Sequence, residues 1–257
     1  MSRYSVNHNF FQIPNNINCY WAGILAADGN ISNNRVRLYL HQKDCQHIQN
    51  FISALESNYK LYTYRTACGV EMSSSQMVTN LYTVYNITPK KSLTLLPPNL
   101  TNEDHIRSFI RGYMDGDGCI SVQQKRCYVG FCGTQNMMKW IKNSIQKYVL
   151  GTGDISIHPN HNIFEIKFTG FQCVAILNWL YKDTDSQQRL ARKYDMFLLL
   201  KESIKQPNKT SIHKRIYFCK RDKRWIVYLK DPITHIKRQK SFETEHEALM
   251  ARGNFYD

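Results

Sequence analysis

The chain has 257 residues, of which 42% are hydrophobic and 12% aromatic, so it is long enough to bury a sizeable core. No apolar run approaches the ~20 residues that a membrane-spanning helix needs, and the first residues lack the apolar centre of a secretion signal. The formal net charge of +14 favours a polyanionic partner, either nucleic acid or an anionic membrane surface. The eight cysteines include no CxxC pair, which excludes zinc-ribbon and redox spacings and favours a reducing, intracellular compartment.

The first part of the chain alternates helical and strand-like segments. A helix over YWAGILAADG (20–29) is followed by a strand at RVRLYLH (35–41) and by a helix around 45–56. Strand patterns recur at KLYTYRTA (60–67) and LYTVYNI (81–87). These segments predict one α+β unit over residues 1–100.

The second part repeats this order. A helix is predicted to begin with Thr101 as its N-cap and to end at Gly116-Asp117-Gly118. After it come a strand at 127–132, a helix at 135–149, strands at 154–159 and 163–170, and helices near 171–181 and 187–202. We therefore predict a second α+β unit over residues 101–202 and an overall pseudo-twofold arrangement.

The two leading helices carry a repeated motif. YWAGILAADGNI (20–31) and FIRGYMDGDGCI (109–120) share one offset, 117 − 28 = 89. The matched pairs are Gly23 with Gly112, Asp28 with Asp117, Gly29 with Gly118, and Ile31 with Ile120. A repeat of this kind indicates that the two units have the same local structure.

Small residues line one face of each repeated helix. Gly112 and Gly116 stand four residues apart, as do Gly23 and Ala27, and such faces let two helix backbones approach closely. We expect the two helices to pack together and to bring Asp28 and Asp117 to the same end, where the helix dipoles are negative. Like charges placed there need a positive partner.

A hard divalent cation, Mg²⁺ or a similar ion such as Mn²⁺, suits this pair of acids. Its predicted ligands are the carboxylates of Asp28 and Asp117 with backbone carbonyls, those of Ala27 and Gly116. The alternative is that both segments are ordinary Asp-Gly helix ends.

WAGILAADG (21–29) and IRGYMDGDG (110–118) resemble the two LAGLIDADG motifs of a monomeric homing endonuclease. The resemblance spans roughly residues 5–200. It implies two αββαββα halves whose sheets form a saddle over double-stranded DNA, and hydrolysis of one phosphodiester on each strand. It assigns catalytic metal binding to Asp28 and Asp117. The first motif departs from the family at Ala26, where an acid is usual, whereas the second keeps Asp115; this acid is generally structural.

The resemblance also implies supporting catalytic residues. One lysine per half is expected after the last strand of each sheet, which suggests Lys91 and Lys193, with Lys90 and Arg192 as the nearest competitors. Gln42 follows a strand and resembles a family glutamine that positions water near the metal. The second-half partner of Gln42 stays open, because CGTQ (132–135) aligns in more than one way.

Alternate side chains of the sheets are expected to face the major groove, where base edges are distinguishable. The candidates are Arg35, Arg37, Tyr39, His41, Tyr64, Arg65, Lys125, Arg126, His158 and Lys167. Each is also compatible with a phosphate contact or a solvated surface position. Since the two halves differ strongly in sequence, we expect an asymmetric target.

The last part of the chain has a different texture. Residues 203–214 are predicted to be a linker, and residues 201–257 hold 14 Lys+Arg against 7 Asp+Glu. Three short strands and the helix TEHEALMARGNFY, with Thr244 and Glu247 as a capping box, predict a small domain over residues 215–257. On Trp225, the SFET turn (241–244) and this helix, it resembles the DNA-binding domain of ethylene-response factors. Its expected contacts with DNA are Lys220, Arg221, Arg224 and Lys230; alternatively Trp225 is a core residue and the basic side chains only form a soluble face.

Three functions follow from these features. The leading one is a monomeric, site-specific DNA endonuclease. The alternatives are an RNA-binding maturase that acts on intron RNA and a DNA-binding regulator that does not cut. The presence of both Asp28 and Asp117 argues against the regulator, because binding alone does not need clustered negative charge.

Overall fold

The computed structural model describes residues 4–123, 126–149, 156–203, 216–230 and 237–253. The first half contains α1 (Asn16–Ala27), β1 (Gly29–Ser32), β2 (Arg35–His41), α2 (Cys45–Ala54), β3 (Tyr62–Tyr64), β4 (Ala67–Ser73) and α3 (Ser75–Tyr85). The second half contains α4 (Glu103–Asp117), β5 (Cys119–Gln123), β6 (Arg126–Gly133), α5 (Gln135–Tyr148), β7 (Ile157–Asn160), β8 (Ile163–Thr169) and α6 (Phe171–Leu180), followed by α7 (Ala191–Ser203). The predicted αββαββα order is confirmed in both halves.

Each half forms a four-stranded antiparallel sheet, in the orders β1-β2-β4-β3 and β5-β6-β8-β7. Alternate side chains of each strand point to opposite faces. In the first sheet Val36, Leu38, Val70 and Met72 are buried on the face covered by α2 and α3. The opposite face of each sheet is left open and carries polar and aromatic side chains.

The helices α1 and α4 pack against each other at the centre of the main core. Their backbones are so close that a Cβ at Gly23 would lie 2.1 Å from the carbonyl oxygen of Phe109, and a Cβ at Gly112 would lie 2.0 Å from that of Tyr20. Both distances are far below van der Waals contact, so no side chain fits at either position. The small-residue faces therefore have the role that the sequence predicts.

Two local predictions were wrong. Residues 81–87 belong mostly to the helix α3 and not to a strand, because Met77, Leu81 and Tyr85 recur at helical spacing and are buried, and the Ser74 hydroxyl caps the helix by accepting from Met77 N–H. The last strand of the first sheet is β4 instead. The helix α4 begins one residue later than expected, because Asn102, not Thr101, accepts hydrogen bonds from Asp104 and His105 N–H.

The last described segments form a separate small unit. The strands β9 (Ile216–Cys219), β10 (Arg224–Lys230) and β11 (Lys237–Phe242) make an antiparallel sheet that packs on α8 (Glu245–Gly253). The capping box is confirmed, with Glu247 N–H donating to the Thr244 hydroxyl and Thr244 N–H donating to the Glu247 carboxylate. Trp225 packs against the core made by Ile216, Val227 and Ala248, which favours the alternative that it is a core residue. Within the described ranges, every helix is too short or too polar to cross a membrane.

Candidate active site

Asp28 and Asp117 lie at the facing ends of α1 and α4. Asp28 is the C-cap of α1, and Asp117 is the last residue of α4. Gly116 permits their approach, because a Cβ at this position would be 2.3 Å from the Cβ of Ala27 and 3.1 Å from the Asp28 carboxylate. The structure thus brings the two acids together across the helix pair, as expected from the repeat.

Neither carboxylate is in a favourable setting for its negative charge. Burial raises the pKa of Asp28 above its usual value, although Lys193 and Lys91 oppose this. Burial and then repulsion from Asp28 raise the pKa of Asp117. In the described part of the chain no hydrogen-bond donor reaches either carboxylate. Both therefore keep their lone pairs free for another positive group.

Two buried lysines hold the same helix ends. The Lys91 amine donates to the carbonyl oxygens of Ala27 at 3.1 Å and Gly29 at 2.7 Å. The Lys193 amine donates to those of Gly116 and Gly118, both at 2.7 Å, and of Met114 at 2.6 Å. Since 116 − 27 = 118 − 29 = 89, the two lysines bind equivalent carbonyls of the two motifs.

The competing basic residues lie elsewhere. Lys90 is exposed, and Arg192 forms an ion pair with the buried Asp44 at 3.0 Å. Lys91 and Lys193 are only 8% and 6% exposed. The structure therefore places the two predicted lysines, and not their neighbours, behind the acids.

Positive charge is present at the acids even without a metal. Burial lowers the pKa of Lys91 and lowers that of Lys193 to about 8, while the nearby aspartates oppose this in both cases. Three carbonyl acceptors also engage all three N–H groups that the Lys193 ammonium possesses. Two ammonium groups thus face two carboxylates. Part of the positive charge that we expected a metal ion to supply therefore comes from the two lysines.

The donor set still fits a hard divalent cation. The carboxylates of Asp28 and Asp117 have no hydrogen-bond partner among the described residues, and the carbonyls of Ala27 and Gly116 each accept one described hydrogen bond, which leaves one lone pair. All these ligands are oxygens, as Mg²⁺ prefers. No group of three or more His, Cys, Asp or Glu side chains suited to a metal occurs among the described residues, so water or substrate would complete the coordination.

The strand register identifies the second-half partner of Gln42. Asn30 pairs with Arg37, and its repeat equivalent Cys119 pairs with Gly130. Counting five residues on, 37 + 5 = 42 and 130 + 5 = 135, so Gln135 matches Gln42. Both side chains are exposed; Gln42 directly follows β2, and Gln135 begins α5 two residues after the end of β6. The ambiguity of CGTQ is thereby resolved.

Asp115 belongs to a buried network that the sequence did not reveal. Its carboxylate accepts from the Tyr20 hydroxyl at 2.8 Å, the Tyr181 hydroxyl at 2.7 Å and Leu190 N–H at 2.8 Å. Burial raises its pKa. The repeat equivalents in the other half are Ala26 for Asp115 and Phe109 for Tyr20, since 26 + 89 = 115 and 20 + 89 = 109. The loss of the acid is thus matched by the loss of its hydroxyl partner.

Most expected DNA contacts lie on the open faces. Arg35, Tyr39, His41, Tyr64, Arg65, His158 and Lys167 are exposed, and Arg37 is partly exposed on the same face as Arg35. The His41 ring accepts from Lys43 N–H, and Arg65 stacks on Tyr64 at 5.1 Å. Lys125 and the side chain of Arg126 lie outside the described residues.

The expected contacts of the last unit are at the surface. Lys220 is exposed, Arg221 pairs with Asp222 and Arg224 with Glu243. Lys230 ends β10, and its side chain lies outside the described residues. An open face of this sheet also carries Tyr217 and Tyr228, whose rings stack at 5.4 Å.

No family model matches the chain, and no curated protein matches it. Among solved structures, the I-LtrWI LAGLIDADG homing endonuclease bound to target DNA has a TM-score of 0.50 and 11% identity, over 75% of this chain and 92% of that chain. The LAGLIDADG meganuclease I-AabMI bound to uncleaved DNA has a TM-score of 0.49 and 11% identity, over 73% and 92%. Full-length DUF199/WhiA from Thermatoga maritima has a TM-score of 0.48 and 10% identity, over 76% of this chain and only 65% of that chain. Over the 75% of the chain that aligns with I-LtrWI, the fold is therefore that of the LAGLIDADG homing endonucleases.

Proposed function

We propose that this chain is a site-specific endonuclease that hydrolyses one phosphodiester on each strand of a long, asymmetric DNA duplex with a divalent metal ion. The observation that carries the proposal is the pair Asp28 and Asp117. Both carboxylates lack hydrogen-bond partners among the described residues, they meet across a twofold helix pair, and each adjoins a buried lysine. Ordinary Asp-Gly helix ends require neither the pairing nor the lysines.

The chain's own residues have distinct parts in this proposal. Asp28 and Asp117, with the carbonyls of Ala27 and Gly116, would hold Mg²⁺. When bound, the ion would lower the pKa of a bound water and neutralise phosphate charge. Lys91 and Lys193 fix the helix ends that carry these ligands and add positive charge beside the scissile phosphates. Gln42 and Gln135, which are equivalent in strand register, would orient water, one from each half.

The open faces of the two sheets would contact the duplex. Arg35, Arg37 and Tyr39 are on the first sheet, and the second presents Tyr128, Glu165 and Lys167. Because these sets differ, the two halves would read different base pairs, and the target would be asymmetric. The net charge of +14 supports a phosphate backbone as partner.

A second candidate function is a DNA-binding protein that does not cut. The observation that favours it is the charge balance at the site, where two lysine ammonium groups face the two carboxylates. Such a site is compensated without metal. The two candidates share DNA binding and differ in the presence of hydrolysis.

One experiment separates them. The full chain is first used to select duplexes from a random pool in EDTA, and the selected sequence is then cloned into a supercoiled plasmid. We expect Mg²⁺ to produce linear plasmid and EDTA to prevent it. Asp28→Asn and Asp117→Asn should each lower the rate about a thousandfold, since a metal supplies several kcal/mol of charge stabilisation.

Asp183→Asn is the matched control, because Asp183 is exposed, lies outside both repeated motifs, and has a left-handed conformation that asparagine tolerates. It should cut like the wild type. Selective binding without any cut in Mg²⁺ or Mn²⁺ would support the second candidate. Failure to select any duplex, with tight binding of structured RNA, would support the maturase instead.

A further inference from the structure

An acidic residue stands in the middle of the open face of the first sheet. Glu71 on β4 is the cross-strand partner of Arg37 on β2. Its carboxylate accepts from Arg37 Nε at 2.6 Å and from Arg35 Nη1 at 2.5 Å. These two contacts, with charged partners, lower the pKa of Glu71, so the carboxylate is ionised. A carboxylate repels the phosphates of DNA, so its presence on a DNA-binding surface is unfavourable unless it positions neighbouring side chains.

The two arginines differ in how many of their hydrogen-bond donors remain free. Arg37 Nη1 donates to Asn30 Oδ1 at 3.1 Å and to Ser32 Oγ at 2.6 Å, while its Nε is bound to Glu71. Its side chain is 25% exposed. Three neighbours on β1 and β4 therefore fix the Arg37 side chain. Its Nε and Nη1 groups are already bound within the sheet.

Among the described residues, Arg35 is held through Nη1 by Glu71, and its Nε and Nη2 groups are free to bind another partner. Its side chain is 50% exposed, and Nη1 is the one group of its guanidinium that binds a described residue, Glu71. Among the described residues no acceptor occupies Nε or Nη2. These two groups form one edge of the guanidinium plane, and such an edge can donate two parallel hydrogen bonds to O6 and N7 of a guanine in the major groove.

We propose that Arg35 reads a guanine of the target, and that Glu71, itself held by Arg37, is the residue that positions it. The chain of contacts runs from the sheet through Arg37 and Glu71 to Arg35, so the free edge of Arg35 has a fixed direction before DNA arrives. Fixing a long side chain in advance reduces the entropy lost on binding and sharpens selectivity. Arg37 then serves as a support and not as a base reader.

The inference rests on the proposed function in that it needs this open face against a DNA groove, but it does not need cleavage. The test uses the full chain and a pool of random duplexes in EDTA, and it measures both base preference at each position and the salt dependence of affinity. Arg35→Lys keeps the charge and removes the planar edge. Glu71→Gln removes the negative charge with which residue 71 binds the two guanidinium groups.

We expect both variants to lose about tenfold or more of the preference for guanine at one and the same base pair, with other positions unchanged. Glu56→Gln is the charge-matched control, because Glu56 is exposed beyond α2 and outside the sheets; it should retain the wild-type preference. A surface charge effect alone would make Glu71→Gln bind all duplexes more tightly with an unchanged preference, and this would overturn the inference.

Two further outcomes are distinct. If Arg35→Lys keeps every base preference, Arg35 contacts phosphate and the inference is wrong. If the wild type selects a sequence and both variants lose the same guanine, yet no plasmid is cut, the inference stands while the proposed hydrolysis fails. A wild type with no base preference contradicts the inference whatever its cleavage activity.

Discussion

Asp117 ends α4 at a place where both burial and Asp28 disfavour its ionised form, and this has a consequence for stability. Its pKa in the folded chain is raised, whereas in the unfolded chain it is near 3.8. Between these two values the folded chain binds more protons than the unfolded chain. Stability therefore falls as pH rises through the folded pKa, and the deficit persists at neutral pH.

We expect Asp117→Asn to be more stable than the wild type at about pH 7 in EDTA, with a difference that shrinks as the pH is lowered through the raised pKa of Asp117. Urea denaturation at several pH values measures it. Added Mg²⁺ should then stabilise the wild type and leave Asp117→Asn unchanged, because a ligand that binds only the folded state raises its stability. A wild type that Mg²⁺ does not stabilise would count against the metal site independently of any cleavage assay.

Recurrence made the central residues predictable. Asp28 and Asp117 occur in a repeat with one offset, and a repeat is visible within a single sequence. The contact between Tyr20 and Asp115 joins residues 95 apart and depends on how α1 meets α4, so no local pattern reports it. The bonds from Lys193 to the end of α4 likewise join residues 75 to 79 apart. Their roles in catalysis stay predictions.

At the scale of elements, hydrophobic spacing was a better guide than residue type. LYTVYNI contains residues common in strands, yet Leu81 and Tyr85 continue the buried helical series that begins at Met77. Tertiary burial on one helix face outweighs the local strand preference of Tyr, Thr and Val. Spacing also indicated the other helices and most of the remaining strands, but not β1, β4 or β5, and the αββαββα order came from the family resemblance.

The packing of α1 on α4 predicts a large effect of one methyl group. In Gly112→Ala the new Cβ would meet the Tyr20 carbonyl at 2.0 Å, and both atoms belong to rigid helix backbones. We expect a loss of ~2–3 kcal/mol or more in the free energy of unfolding, measured by chemical denaturation. Gly130→Ala on β6 is the control, because its Cβ would have no neighbour nearer than 3.5 Å. Equal stabilities of the two variants would show that the helices are not in such close contact.

At the scale of the whole molecule, the charge and the cores are distributed unequally. The main core ends at Leu200, and Ile216, Val227 and Ala248 form a second, separate cluster among the described residues. Residues 201–257 have a surplus of 14 − 7 = +7, half of the net charge of +14. Residues 201–215 contribute 5 − 1 = +4 of this surplus and residues 216–257 contribute 9 − 6 = +3, so the last unit is a modestly basic body with a core of its own, preceded by a basic segment.

Removal of residues 204–257 should therefore leave the two-half fold intact and weaken its binding to DNA. Each phosphate contact that is lost flattens the slope of log affinity against log salt by about 0.9, so a unit that makes two or more contacts changes the slope by about 2. Fluorescence titrations of the selected duplex at several salt concentrations measure this.

A full-length variant with Lys220→Gln, Arg221→Gln and Arg224→Gln should reproduce part of the change while keeping the second core. Circular dichroism and denaturation establish that the shortened chain is folded. If it is folded and its affinity and salt slope equal those of the full chain, the last unit does not bind DNA, and its basic face is only a solvated surface.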